Sequence, residues 1–349
     1  SRDPRYIPPG WSYWAAAIQP SAKYVNFKLN VGGVRKHVPR RYKTNVFNQM
    51  AVNFVDRRAT SETPFFLWLS HIAPHSGGPE ERDDPSALGL VRHNHTPAVS
   101  AKYRNAYNHM RLPQPPGFNE ANVKDKPRYV RNKHRLGPKA MSAIEETIQQ
   151  RREALLSVDD GVAAILNALQ RNGELGRTLV IFTSDNGMMN GQHRLRNKYY
   201  PYTPSIRVPL IIRGPGVPTG ARRSQPVGTI DLAPTITDAA GITPSAVVDG
   251  RSLLPLASSG AVGTHRTMLL ELGQAPHGPN TWPTAFYTGV RTQRWVYLEY
   301  GTGERELYNQ ARDPHQLRSK HADPDLRDVE RQLARALDRL RDCGGRSCR

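Results

Sequence analysis

The order of apolar and polar positions predicts alternating helices and strands over the first two thirds of the chain. Residues 42–58 place apolar side chains on one face at helical spacing, which predicts a helix packed on that face. Residues 65–69 form an unbroken apolar run, which is typical of a strand covered on both faces in a parallel sheet. Apolar runs at 178–183 and 208–213 predict two further strands of this kind.

Two more segments show helical spacing. Residues 142–173 predict a long helix that is broken near 159–161 and ends at Gly173, a residue that suits a C-cap. Residues 230–242 predict another helix, with Pro234 in its first turn. Strands that alternate with helices indicate an α/β fold, in which ligands bind beyond the carboxyl ends of the strands.

The texture of the sequence changes after about residue 260. The later segments alternate between apolar and polar residues or are rich in aromatic residues, which predicts a small antiparallel sheet followed by an amphipathic helix. The strand candidates lie at 268–273, 286–300 and 305–310, and the helix candidate lies at 328–342. We therefore predict an α/β domain over residues 1–260 and a smaller α+β subdomain over residues 261–349.

The segment 76–140 is rich in proline, asparagine, histidine and basic residues and has little periodicity. A long stretch of this composition predicts an irregular excursion from the sheet. Excursions of such length usually form lids or binding loops, or are disordered.

The charge balance favours anionic partners. The 349 residues carry 49 Lys and Arg against 30 Asp and Glu, a net charge of +19. A positive field attracts sulfated or phosphorylated substrates, anionic glycans and nucleic acids, although an arginine-rich overall composition explains the charge as well. The sequence contains no block of five consecutive basic residues, which would indicate a nucleic-acid-binding arm. No apolar run approaches the ~20 residues of a membrane helix.

The two cysteines, Cys343 and Cys348, are separated by four residues that include two glycines. This spacing allows a small disulfide loop, which indicates an oxidising compartment, and two free thiols are the alternative. A zinc site normally takes four ligands, so two cysteines alone do not predict one.

Polar residues follow the apolar run at 178–183. Asp185 and Asn186 offer a carboxylate and an amide oxygen, which are ligands for hard cations such as Ca²⁺ or Mg²⁺. An ordinary Asp-Asn-Gly turn is the alternative. Lys198 follows Asn186 by twelve residues and is a candidate for binding an anionic oxygen.

Histidines supply the candidate proton donors. His75 lies just past the apolar run at 65–69, where an imidazole can bind an oxyanion or protonate a leaving group. His71 and His193 are competing candidates for the same role.

In their order along the chain, these segments resemble the sulfatase family of the alkaline-phosphatase-like superfamily. The segments that carry the resemblance are "PFFLWLSHIAPH", "TLVIFTSDNG", Lys198, "RVPLIIRGPG", "IDLAPTITDAAGI" and "ELYNQARDP". "YIPPGWSYW" and "GQHRLRNK" look most like the branch that contains N-acetylglucosamine-6-sulfatases. The resemblance covers nearly the whole chain and implies a mixed sheet flanked by helices, with a smaller C-terminal antiparallel sheet and helix.

The resemblance also implies roles for individual residues. Asp185 and Asn186 would be two ligands of a Ca²⁺ ion. His75 and Lys198 would bind the sulfate and take part in catalysis, and His193 would line the substrate site.

The sequence departs from the family pattern in two respects. It contains no acidic pair at the end of an opening strand and no Cys-x-Pro-x-Arg or Ser-x-Pro-x-Arg segment, whose Cys or Ser the family converts to the formylglycine nucleophile. Thr203 stands where the family often has a glutamate. The resemblance therefore implies an N-terminally truncated sulfatase that is inactive alone, with further Ca²⁺ ligands expected from a missing N-terminal segment.

The expected substrate is a sulfated sugar or an aryl sulfate. The expected location is secreted or periplasmic, with a lysosome-like location in eukaryotic relatives. Two alternatives remain open at this point. One is a phosphatase or phosphonate hydrolase of the same superfamily. The other is a non-catalytic protein that binds anionic glycans, and neither membrane nor nucleic-acid binding is expected.

Overall fold

A computed structural model of the protein describes residues 3–19, 22–84, 96–260, 266–273 and 286–348. Within these ranges the helices are α1 Lys43–Arg58, α2 Arg128–Arg131, α3 Pro138–Arg171, α4 Thr203–Ile206, α5 Leu232–Ala239, α6 Leu254–Ser258 and α7 Arg327–Arg341. The strands are β1 Ala15–Ala17, β2 Phe27–Val31, β3 Val34–Val38, β4 Val180–Thr183, β5 Met189–Asn190, β6 Arg196–Asn197, β7 Leu210–Arg213, β8 Met268–Leu272, β9 Tyr287–Arg291, β10 Trp295–Tyr300 and β11 Arg305–Asn309.

The chain divides into two compact units. The first unit combines Ser1–Pro113 with Gly137–Gly176, and the second combines Gln114–Leu136 with Arg177–Arg349. Both units are therefore discontinuous in sequence, because the segment that carries α3 folds with the N-terminal part of the chain. The division between residues 260 and 261 stays a prediction.

The first unit contains a three-stranded antiparallel sheet in the order β1-β2-β3 and the helices α1 and α3. Phe27 and Leu29 of β2 point to the same side of the strand and are buried against Val46 of α1. This packing confirms the helix predicted over residues 42–58, whose apolar face needed a partner surface.

Helix α3 runs without a break through residues 159–161, so the predicted interruption is wrong. Gly161 serves close packing: a Cβ built on it would lie 2.1 Å from Oδ1 of Asn48 on α1. The Asn48 amide in turn donates to the Ser157 carbonyl at 2.8 Å. The contact between α1 and α3 requires a small residue at position 161. The glycine that suggested a helix break is therefore explained by helix packing.

Residues 65–69 do not form the predicted buried strand. Their side chains alternate, and Phe66 and Trp68 are 52% and 69% exposed. Among the described residues, no backbone hydrogen bond pairs this segment with a strand. An apolar run becomes a strand only where a neighbouring backbone completes its hydrogen bonds.

The second unit contains the strands β4 and β7, which form an antiparallel pair with Val180 opposite Arg213. The predicted strands at 178–183 and 208–213 are thus present, but the expected parallel pairing and full burial are not: Ile211 is 61% exposed. Helix α5 begins after Asp231 and holds Pro234 near its start, which confirms the helix predicted there.

The C-terminal part of the second unit is an antiparallel sheet in the order β11-β10-β9-β8, covered on one face by α7. Leu333 and Leu337 of α7 pack against Tyr297 and Leu307 of the sheet. The predicted sheet and amphipathic helix are confirmed. Cys343 and Cys348 form a disulfide with Cα atoms 5.2 Å apart, as the spacing allowed.

In the part of the chain that the structure describes, no helix has both the length and the apolar character needed to span a bilayer.

We expect replacement of Gly161 by alanine to lower the free energy of unfolding by about 1–3 kcal/mol, because the new methyl group overlaps the buried Asn48 side chain. Urea unfolding of the variant measures the effect. Gly176→Ala is the matched control, since a Cβ there meets no atom within 4 Å. Equal stability of both variants would show that the helix contact adjusts without cost.

Candidate active site

The loop after β4 is held by a close backbone contact with α4. The Gly187 N–H donates to the Ser205 carbonyl at 2.8 Å, and the Met188 N–H donates to the Pro204 carbonyl at 2.7 Å. A Cβ on Gly187 would lie 2.2 Å from the Pro204 oxygen, so only glycine permits this approach. The contact fixes the direction in which the chain leaves the strand.

Asp185, Asn186 and Lys198 come together in this loop. The Lys198 ammonium donates to the Asn186 side-chain oxygen Oδ1 at 3.0 Å, and the Asn186 amide donates to the Gly187 carbonyl at 2.9 Å. The Asp185 oxygen Oδ1 accepts the backbone N–H of Asn186 at 2.9 Å, and the Asp185 side chain is exposed. A carboxylate, an amide oxygen and an ammonium therefore face the same part of the surface.

The backbone on either side of Lys198 adopts a rare conformation. Asn197, at the end of β6, has a φ of 84°, and Tyr199 has a φ of 79°. Left-handed backbone is uncommon for asparagine and strained for a bulky tyrosine, and such strain persists only where the surroundings impose it. This conformation directs the half-buried Lys198 side chain toward Asn186.

The two oxygen donors fit part of a metal site. Asp185 and Asn186 offer the hard ligands that Ca²⁺ takes, but Ca²⁺ needs about six to eight oxygens. Among the described residues, no group of three or more His, Cys, Asp or Glu side chains could hold a metal ion. These residues thus provide a partial shell, and further oxygens are required to complete it.

His193 is buried, with 1% of its surface exposed, and is turned toward Glu120. Its ring nitrogen Nδ1 lies 2.6 Å from the Glu120 carboxylate, and its ring centroid lies 4.5 Å from that of Tyr202. These contacts connect the hairpin formed by β5 and β6 to the segment that contains Glu120. Its role at the substrate site stays a prediction.

Lys126 is a fully buried cation that the sequence did not single out. Its ammonium donates to Asp125 at 2.7 Å and to the Leu317 carbonyl at 2.8 Å, and it lies 3.7 Å from Glu120. Burial of a charge is costly unless it is paired and hydrogen-bonded, as it is here. Lys126 and His193 therefore share the Glu120 carboxylate.

A buried carboxyl group supports the chain after Lys198. Glu306 on β11 is fully buried and accepts hydrogen bonds from three tyrosine hydroxyls. Tyr202 donates at 3.1 Å, Tyr300 donates at 2.5 Å, and Tyr308 also donates. Burial raises the pKa of Glu306 to about 7, and the hydroxyl donors limit that rise.

Tyr202 joins these two buried groups. Its ring packs against His193, and its hydroxyl reaches Glu306. Because Tyr202 immediately precedes α4, the two contacts hold the turn that packs against Gly187. The position of Asn186 and Lys198 therefore depends on a polar network in the interior of the second unit.

His75 belongs to the first unit. Its side chain is exposed, its Nδ1 lies 2.8 Å from the Ser76 carbonyl, and its own carbonyl accepts the Tyr24 hydroxyl at 2.7 Å. His71 is a weaker candidate for proton transfer, because burial lowers its pKa to about 4. His75 thus has an exposed ring with one nitrogen engaged.

Comparison with known proteins gives a consistent family assignment. The family model described as Sulfatase matches residues 8–242, and the model described as N-sulphoglucosamine sulphohydrolase, C-terminal, matches residues 191–343. The chain is 32% identical over 380 aligned positions to N-acetylglucosamine-6-sulfatase of Bos taurus, and 31% identical over 258 to the extracellular sulfatase SULF-1 homolog of Drosophila melanogaster.

These alignments cover the chain and the relatives unequally. The bovine alignment covers 99% of this chain but 64% of that protein, and the Drosophila alignment covers 72% and 21%. A solved structure with D-glucosamine-2-N,6-O-disulfate bound as its substrate superposes with a TM-score of 0.81 at 18% identity, over 95% of this chain and 76% of that one. The structural likeness confirms the predicted α/β fold with a smaller antiparallel sheet.

We expect Glu306 to make the stability of the chain depend on pH. Because the folded-state pKa is raised above the ordinary 4.5 to about 7, its contribution is complete below about pH 4.5 and is lost as the pH rises through 7. Between pH 5 and pH 8 this loss is about 2 kcal/mol. Urea unfolding at several pH values should show a flatter profile for Glu306→Gln than for the unaltered chain.

Glu62→Gln serves as the control, since the Glu62 side chain is exposed. This variant should keep the pH profile of the unaltered chain. Identical profiles for Glu306→Gln and the unaltered chain would show that the buried carboxyl keeps its ordinary titration.

Proposed function

The chain belongs to the sulfatase family, and we propose that it forms part of a Ca²⁺-dependent enzyme that hydrolyses a sulfate ester of a sugar. The supporting observation is the convergence of Lys198, Asn186 and Asp185 in one loop. The chain spans 64% of the length of the bovine relative, so we assign the activity to the whole protein.

Lys198 would bind a sulfate oxygen of the substrate. Its ammonium has one side-chain acceptor, Asn186, among the described residues, and an ammonium offers three donors. A sulfate ester carries negative charge on the oxygens around sulfur, and this charge shifts during cleavage of the ester bond. A fixed cation next to those oxygens stabilises the transition state.

His75 would protonate the leaving oxygen of the sugar. The carbonyl of Ser76 can only accept a hydrogen bond, so Nδ1 of His75 carries a proton and Nε2 remains for the substrate. A protonated Nε2 can donate to an alcohol oxygen as the ester bond breaks. The exposed ring leaves room for such a contact.

Asp185 and Asn186 would be ligands of Ca²⁺. When bound, this ion would neutralise charge on the sulfate oxygens. The Asp185 carboxylate would face the ion directly. The Asn186 side-chain oxygen has two lone pairs. It could therefore coordinate the ion with one and accept the hydrogen bond from the Lys198 ammonium with the other.

We propose that the nucleophile is contributed from outside these 349 residues. The 349 residues contain no Cys-x-Pro-x-Arg or Ser-x-Pro-x-Arg segment from which formylglycine is made in this family. Without a nucleophile, bound sulfate ester would remain intact. We therefore expect the isolated 349-residue chain to bind sulfated ligands without turnover.

A sulfated amino sugar is the substrate class that the comparisons favour. Both the bovine relative and the superposed structure act on glucosamine derivatives according to their names, and the net charge of +19 suits an anionic glycan. The Cys343–Cys348 disulfide supports an oxidising location, such as a secreted, periplasmic or lysosome-like one.

We expect Lys198→Ala to lower kcat/KM of the whole protein for N-acetylglucosamine 6-sulfate by about 10²- to 10³-fold, because the variant loses the fixed cation at the sulfate. Sulfate release measured by ion chromatography tests this. Lys139→Ala, at an exposed position on α3, is the matched control and should retain full activity. A whole protein that binds heparin but releases no sulfate would favour the glycan-binding alternative instead.

We expect Asp185→Asn to weaken Ca²⁺ binding to the whole protein by at least about tenfold, because a charged ligand is lost. Isothermal titration calorimetry with CaCl₂ after chelator treatment measures this directly. Asp342→Asn, which removes an exposed acid elsewhere in the second unit, should leave the affinity unchanged. Unchanged Ca²⁺ affinity in Asp185→Asn would exclude this residue as a ligand.

A further inference from the structure

A second group of polar side chains surrounds Thr203 at the start of α4, within the second unit. Arg291 reaches it from the end of β9, Gln310 from just past β11, and Gln316 from the loop that follows. Thr203 and Arg291 are half-buried, and Gln316 is 1% exposed. None of these residues belongs to the candidate active site described above.

The hydrogen bonds within the group fix the orientation of both glutamine amides. The Gln316 oxygen Oε1 accepts the backbone N–H of Thr203 at 2.8 Å. The Gln310 oxygen Oε1 accepts the Arg291 guanidinium at 3.1 Å, and the same guanidinium donates to the Thr203 hydroxyl at 3.1 Å. Since both amide oxygens are engaged by N–H donors, both amide nitrogens must point elsewhere.

The group has more donors than acceptors. The side-chain nitrogens Nε2 of Gln310 and Gln316 are buried and have no hydrogen-bond partner among the described residues. Neither Arg291 nor Arg207 forms a salt bridge with a carboxylate in the described part of the chain. Burial and the nearby Arg207 guanidinium both lower the pKa of Arg291. A positive charge and two buried amide donors therefore lack a counterpart.

We propose that Arg291, Gln310 and Gln316 form a binding site for a sulfate oxyanion. Buried donors without partners are costly, and an oxyanion satisfies several of them at once. Guanidinium groups and amide N–H groups are the donors that bind planar and tetrahedral oxyanions through paired hydrogen bonds. This site shares no residue with the proposed Lys198 site. It would bind a second sulfate group.

Position 203 allows the charge of the site to be changed from within the chain. A carboxylate there would lie against the Arg291 guanidinium, which now reaches the Thr203 hydroxyl. Threonine brings no charge, so the cation stays available to an external anion. Replacing Thr203 by glutamate should therefore supply the missing anion from within the chain.

The test is isothermal titration calorimetry of the 349-residue chain carrying Lys198→Ala, so that sulfate bound at Lys198 does not contribute. Sodium sulfate is titrated at constant ionic strength and compared with sodium chloride. We expect saturable sulfate binding that Arg291→Gln weakens by at least about tenfold, because the variant loses a charged hydrogen-bond donor to the sulfate. Thr203→Glu should lose the binding equally and should raise Tm in the absence of sulfate.

Two controls separate the charge from the shape of the site. Thr203→Val removes the hydroxyl without adding a charge and should keep sulfate binding. Arg335→Gln, at an exposed position on α7, should also keep it. Absence of saturable binding to the chain that carries Lys198→Ala alone would overturn the proposal, and equal affinity in the variant that also carries Thr203→Glu would overturn it as well.

Titrations with three ligands distinguish free sulfate from the sulfate group of a sugar as the bound oxyanion. Inorganic sulfate, glucosamine 6-sulfate and unsulfated glucosamine are titrated into the chain carrying Lys198→Ala, with Thr203 unchanged and with Thr203→Glu. A sugar sulfate that binds more tightly than inorganic sulfate, and loses this advantage in Thr203→Glu, assigns the site to a substrate group. Equal affinities of the two sulfates assign it to free sulfate, and these binding measurements do not depend on hydrolysis.

Discussion

The interior of the second unit is organised around one buried carboxyl group. Glu306 lies in the core of the C-terminal sheet, where an unpaired carboxyl would be costly, and three tyrosine hydroxyls satisfy it. Tyr202 is the donor that belongs to the turn after Lys198. The requirement to satisfy Glu306 therefore determines where this turn lies, and the turn packs directly against the loop that holds Asn186.

Sequence patterns predicted those elements whose apolar face is determined locally. Helix α7 and the C-terminal sheet were found because their spacing of apolar residues matches the structure. The one segment predicted over residues 286–300 proved to be two strands, β9 and β10. The run at 65–69 was misjudged, because burial depends on neighbouring backbone that periodicity does not reveal. The break predicted near Gly161 was wrong for a similar reason. A glycine stands there because the Asn48 side chain, which is distant in sequence, packs directly against it.

The same distinction applies to the site. The proximity of Asp185, Asn186 and Lys198 could be predicted because they occupy one short stretch of the sequence. Their roles stay predictions. The burial of Glu306 and Lys126 could not be predicted, since each looks like a surface charge in the sequence. One hydrogen-bond partner of each is distant along the chain: Tyr202 lies 104 residues from Glu306, and Leu317 lies 191 residues from Lys126. Spacing alone gives no sign that a charged residue is buried.

Thr203 connects the two faces of the turn. Its backbone begins α4, which supports the loop of Asn186, while its side chain meets Arg291. A charge placed at this position would act on Arg291 directly and on Lys198 only through the turn. If Thr203→Glu changed sulfate binding at Arg291 without altering the catalysis that we propose for Lys198, the turn would behave as a rigid support. A change in both would show that the two proposed anion sites are coupled through α4.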